Sequence, residues 1–167
     1  MTMRKYHIMI AALVVIFDHL TKWLVAQKII LSESIDVVPG LFRLTHVQNQ
    51  GAAFGLFSDS PSEWKAAMLI VFSLAALAVV SALLWKNGNS LNATAVALSL
   101  VFGGALGNLW DRIASGRVVD FLDFYVGTHH WPAFNIADSA IVAGALLLLS
   151  EIFLAPHDEK VVSQQEQ

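Results

Sequence analysis

The chain has 167 residues, of which 56% are hydrophobic and only 14% charged, against roughly 25% charged in an ordinary soluble domain. With a mean hydropathy of +0.62, that deficit of charge places it among membrane proteins, at a length that suits one domain. A net charge of −3 with no basic tract argues against nucleic acid as a partner, and the absence of cysteine excludes disulfides, thiolate metal sites, a cysteine nucleophile and lipidation of the chain on cysteine.

The first apolar segment runs from Tyr6 to Ala26, behind Arg4 and Lys5. A charged start and an apolar run are also the first two features of a secretory signal. Asp18, Lys22 and Trp23 stand where a small-residue cleavage site would be, so the segment reads as an uncleaved spanning helix. Asp18 and Lys22 are four apart on one helix face and can lower each other's cost in the membrane by pairing. A simple interfacial pair, with Lys22 reaching out to water, fits the spacing equally well.

The connection Gln27–Lys65 holds two β-prone runs, Ile35–Val38 and Leu41–Val47, around Pro39-Gly40. That pattern predicts a hairpin. A lone two-stranded hairpin is marginal in water, so it is expected to lie on the helix ends or the membrane surface. Asn49-Gln-Gly-Ala-Ala-Phe54 follows, where Gly51 and the alanines let backbone approach something closely.

Three more apolar segments, Ala66–Trp85, Leu91–Trp110 and Phe134–Leu154, are each long enough to cross a hydrocarbon core of ~30 Å as a helix. All five tryptophans (Trp23, Trp64, Trp85, Trp110 and Trp131) fall in the last turn of such a segment or just outside one, where an amphipathic ring prefers the interface. The fold class expected is therefore an all-α integral membrane protein, with four transmembrane helices and a small extracytoplasmic β-hairpin or cradle. Residues 1–156 form one four-helix domain with a β-rich insertion at about 29–64, and the polar tail 157–167 is expected to be disordered. Four spans put both termini on one side with the Lys86–Ser90 connection, and Gln27–Lys65 and Asp111–Pro132 on the other. Arg4 and Lys5 favour a cytoplasmic N-terminus. Lys28, Arg43, Lys65, Arg112 and Arg117 all fall on the opposite side, so charge supports this orientation only at the first helix.

Charge gathers near the third and fourth segments. Gly103 and Gly107 make a Gly-x-x-x-Gly face suited to close helix packing. Asn108 and Asp111 share a face near the end of that helix, and Arg112 adds a rigid fork of donors, which suggests a carboxylate–guanidinium brace. Asn135 with Asp138 three residues on resembles a helix N-cap, and a helix N-terminus stabilises negative charge. Asp120 and Asp138 lie on either side of a short connection, each beside a membrane segment. Two carboxylates held close share a proton, as amide hydrolysis without a metal or covalent intermediate requires. One takes a proton from water attacking the carbonyl, and the other, protonated, bonds the carbonyl oxygen and later protonates the nitrogen. An aspartyl-type membrane protease follows, with Asp120 and Asp138 as the catalytic pair. Asp123 competes with this pair, one turn beyond Asp120 if that piece is helical. His129-His130 offers a poor metal site, because adjacent histidines diverge on regular backbone. A small transporter or channel subunit, with Asp18, Asp111 and the asparagines along an ion path, is the alternative, and a purely structural assembly factor would leave the clustered acids without a purpose.

Five motifs then carry a resemblance: Asp18-His-Leu-Thr-Lys22, Asn49-Gln-Gly-Ala-Ala-Phe54, Gly103-Gly-Ala-Leu-Gly-Asn-Leu-Trp-Asp-Arg112, Gly116-Arg-Val-Val-Asp-Phe121 and Phe134-Asn-Ile-Ala-Asp-Ser139. In this order and across nearly the whole chain, they resemble the bacterial lipoprotein signal peptidase family, also called signal peptidase II. The resemblance implies an inner-membrane aspartyl endopeptidase that removes signal peptides from diacylglyceryl-modified prolipoproteins, cutting just before the lipidated cysteine. It implies catalysis by Asp120 and Asp138 with Asp18, Lys22, Asn49, Gly51, Asn108, Asp111, Arg112 and Asn135 supporting, and a β-cradle at Ile35–Val47. The expected protein needs no metal or cofactor and is a monomer in contact with membrane lipid. His19 and Gln50 depart from the family's usual glutamine and threonine, which bears on substrate preference more than on the paired acids.

Overall fold

The computed structural model describes residues 3–51, 62–87, 90 and 92–154. The Ala52–Phe54 end of the small-residue motif and the His157–Gln167 tail lie outside the described residues. Among the described residues four helices form: α1 (Arg4–Lys28), α2 (Ser62–Asn87), α3 (Ala93–Ser115) and α4 (Ile136–Leu154). Among the described residues, all four are long and apolar enough to cross a membrane. The tryptophans expected at the interface are all exposed.

α3 lies between the others, touching α1, α2 and α4. It starts where the Asn92 side chain accepts the Ala95 N–H at 2.8 Å, a regular N-cap. It stops at Gly116, whose φ of +71° suits a residue without a Cβ. The last helical residue, Ser115, comes five residues beyond Trp110, the expected end, so Asp111 and Arg112 belong to the last turns of the helix and not to a loop. The Gly-x-x-x-Gly face packs as expected. A Cβ on Gly103 would sit 2.8 Å from the Ala11 carbonyl oxygen, and one on Gly107 would sit 2.9 Å from the Asp18 carboxylate, so both face α1. Gly104 faces α4, against the Ala137 carbonyl.

The expected hairpin is present as β1 (Ser34–Val38) and β2 (Phe42–Asn49), turning at Gly40 with φ +82°. It is half of a larger sheet. β3 (Val118–Val126) and β4 (His129–His130) complete an antiparallel sheet in the order β1-β2-β3-β4, so the Asp111–Pro132 stretch is no plain connection. The run Val118-Val-Asp-Phe-Leu-Asp-Phe-Tyr-Val126 is rich in β-branched and aromatic residues, which suit a pleated, half-buried surface. Because it is a strand, Asp123 does not sit one helical turn from Asp120. Val25, Ile29 and Phe121 form a small core with Leu44, Val119 and Ile136 packed on it, which seats the sheet on the end of α1 and the start of α4. The Phe134 carbonyl accepts the N–H groups of Phe121 (2.9 Å) and Leu122 (2.8 Å), tying β3 to the entry of α4.

Candidate active site

Lys22 is the hub of the polar cluster. Its side chain is 5% exposed, so it does not reach out to water. Its ammonium donates to Asp18 Oδ2 (2.6 Å), Asn108 Oδ1 (3.0 Å) and Asp111 Oδ2 (2.6 Å), which uses its three donors on three acceptors. A buried cation needs that complete a set of partners to be tolerated. The other Asp18 oxygen accepts the backbone N–H of Ala137 at 2.9 Å, in the first turn of α4. Asp18 therefore neutralises Lys22 and caps α4 with the same carboxylate. The brace expected between Asp111 and Arg112 takes another form: Lys22 pairs with Asp111, while Arg112 Nη1 donates to the Asn108 carbonyl at 3.3 Å. The Arg112 guanidinium stays within electrostatic reach of Asp138, Asp120 and Asp111.

Asn108 passes this order on to Asp138. With its Oδ1 held by Lys22, its Nδ2 points at Asp138 Oδ1 and donates at 2.7 Å. Asp138 Oδ2 accepts the Asn135 backbone N–H at 3.3 Å, and Asn135 Oδ1 accepts the Asp138 N–H at 2.9 Å. This is the reciprocal cap anticipated from the sequence.

Asp120 comes from β3, opposite Val47 of β2, and is 3% exposed. Its Oδ1 accepts from Asn135 Nδ2 at 2.7 Å, and its Oδ2 accepts from Asn49 Nδ2 at 3.0 Å. Asn49 is in turn held by the Gly51 N–H, which donates to its Oδ1 at 2.8 Å. Burial pushes the Asp120 carboxyl up to about 6, the Asp138 charge pushes it the same way, and the two amide donors work against both. Asn135, fully buried, touches both carboxylates, Asp120 by its side chain and Asp138 by its backbone.

Asp123 has a different occupation. It accepts from Arg43 Nε at 2.6 Å and lies 3.0 Å from His130 Nδ1, with the His130 ring stacked on Tyr125. These contacts tie β2, β3 and β4 together away from Asp120. Neither this cluster nor the capping of α4 by Asp18 is evident in the sequence, since both depend on residues brought together from 80 and 119 positions apart. A carboxylate beside a β-prone run was the one available signal for Asp123.

All ten residues singled out in the sequence, from Asp18 to Asp138, meet at one end of the bundle. Two carboxylates there share the Asn135 support, one with its affinity for a proton raised toward neutrality, and amide donors fix every oxygen. Such a pair can deprotonate a water and hydrogen-bond the carbonyl it attacks.

The family model described as Signal peptidase (SPase) II matches residues 10–154. A lipoprotein signal peptidase of Solibacter usitatus is 44% identical over 143 residues, covering 86% of this chain and 87% of the relative. One of Geobacter metallireducens is 45% identical over 139 residues, covering 83% and 85% respectively. A solved bacterial membrane enzyme, obtained by the in meso method at 2.3 Å resolution, superposes with a TM-score of 0.81 at 34% identity, covering 95% of this chain and 94% of that one.

Proposed function

The chain belongs to the signal peptidase II family, and on that premise we propose that it is an aspartic endopeptidase that cleaves the signal peptides of prolipoproteins with a water held between Asp120 and Asp138. The bond broken is the amide just before the cysteine that carries the diacylglyceryl group. The observation that carries this reading is the Asn135 bridge, which binds both carboxylates and fixes them relative to each other.

Asp120 is the more deeply buried of the two and keeps the shared proton. Asp138 takes a proton from water as the oxygen attacks the carbonyl carbon, while Asp120 donates to the carbonyl oxygen. When the C–N bond breaks, the pair returns a proton to the departing nitrogen, so it begins and ends the cycle with one proton. Lys22 and Asn108 orient Asp138, Asn49 orients Asp120, and the Arg112 guanidinium favours negative charge developing nearby. Arg4 and Lys5 at the start of α1 favour a cytoplasmic N-terminus, which puts the site at the outer face of the inner membrane. The ion-path alternative draws no support, because among the described residues the buried acids and asparagines gather at one end of the bundle and do not continue along it.

The test uses Asp120→Asn and Asp138→Asn, each inserted in membranes and assayed on a lipid-modified precursor. Both should lose roughly a hundred- to ten-thousandfold in turnover, in line with loss of a general acid or base. Near-normal cleavage by either correctly inserted variant would remove that residue from the pair.

A further inference from the structure

A cleft of ≈ 570 Å³ opens between α1, α2 and α3, away from the polar cluster. Its wall follows α1 from Arg4 to Ile16, about 18 Å of helix and close to the acyl depth of one leaflet of a ~30 Å core. The sides are apolar, Ile8 and Phe102 among them, and the Ser81 hydroxyl in the wall donates to the Leu77 carbonyl at 2.6 Å. The groups able to bind an anion stand at one end. Among the described residues, Arg4 is the only charged one lining the cleft, and no acid lines it. Its guanidinium stacks 4.1 Å over the Trp85 ring, and its Nε is buried without a hydrogen-bond partner. His7 beside it is buried, with Nε2 3.2 Å from the Ser90 carbonyl. That Nε is covered by protein, but Arg4 as a whole is only half-buried, and a phosphate is the acceptor that the rest of its planar fork fits.

We propose that this cleft binds an anionic phospholipid from the leaflet at the N-terminal end of α1, one acyl chain lying along α1 and the phosphate on Arg4. An apolar segment of a signal peptide would fit the length too. Such a segment brings its own positive start to the same end, where it would meet Arg4 with like charge. The lipid is the occupant that complements the cleft at both ends.

The test is native mass spectrometry of the full-length protein taken from vesicles of equal phosphatidylglycerol and phosphatidylcholine and washed in detergent. Phosphatidylglycerol should be retained about fivefold over phosphatidylcholine, as one basic residue near an anionic surface gives. Arg4→Gln should bring the two lipids to parity, and Ala12→Trp, which fills the cleft, should reduce retention of both. Asp120→Asn should retain lipid as the unmodified protein does, so the result is independent of proteolysis. Parity in the unmodified protein, or a preference that survives Arg4→Gln, would overturn the assignment. So would stoichiometric displacement of the lipid by a synthetic signal peptide, which would give the cleft to substrate.

Discussion

Asp18 Oδ1 accepts the backbone N–H of Ala137 at 2.9 Å, so a carboxylate of the first helix caps the last one. The same carboxylate holds Lys22. Asp18→Ala removes both contacts and leaves a buried ammonium with two acceptors in place of three, which should cost about 3–5 kcal/mol of stability. Asp18→Asn keeps an acceptor for Ala137 and should cost less. Thermal unfolding in nanodiscs, with cleavage measured on the folded fraction, checks both. Equal unfolding midpoints for Asp18→Ala and the unmodified protein would contradict the capping role.

Asn108 stands between Lys22 and Asp138, and its orientation follows from those two neighbours. Asn108→Leu keeps the volume but removes a donor from a carboxylate, a bond worth about 1.5–3 kcal/mol. Turnover should fall roughly 10- to 100-fold while KM changes little, because Asn108 acts through Asp138. A change confined to KM would show that Asn108 binds substrate instead.

Burial raises the Asp120 pKa from 3.8 to about 6, so the folded protein holds that proton more tightly than the unfolded chain. The associated stability is fully present below about pH 4 and is lost as pH rises through 6, a change of about 3 kcal/mol. Asp120→Asn should flatten that slope in pH-dependent unfolding. Cleavage by the free enzyme, followed as kcat/KM, should decline as pH rises above about 6, where Asp120 loses its proton. Asn49→Ala removes a donor to the charged form and should move that decline to higher pH. A shift to lower pH would contradict the assignment of the limb to Asp120.

Asp123 distinguishes a sheet contact from a catalytic one. Asp123→Asn weakens the Arg43 pair and the His130 contact and should lower stability by about 1–3 kcal/mol. Its cleavage rate, corrected for folded fraction, should stay within about threefold of the unmodified protein, as for a residue outside the pair. A loss as deep as that of Asp120→Asn would reopen the choice of catalytic partner.

What could be read before folding was what depends on neighbours in sequence. Hydropathy reveals the spans because each helix satisfies its own backbone, and the Asn135–Asp138 cap is legible because its partners are three residues apart. The hairpin around Pro39-Gly40 is legible for the same reason. β3 is harder, since Val118–Val126 becomes a strand by pairing with β2 from about 70 residues earlier. The end of α3 depends on the left-handed conformation at Gly116, and Trp110 is only an interface marker. Lys22 shows the limit most clearly. Its spacing from Asp18 allows an exposed pair as readily as a buried one, and only the arrival of Asn108 and Asp111 from α3 decides between them.

The contact between Asp18 and Ala137 also bears on biosynthesis. It closes a loop of 119 positions, so a chain emerging from the ribosome holds one half of the site long before the other exists. Until α4 has entered the bilayer, Asp18 lacks that partner and Asp138 is not in place. On the proposed roles of Asp120 and Asp138, cleavage activity would arrive only with the last helix.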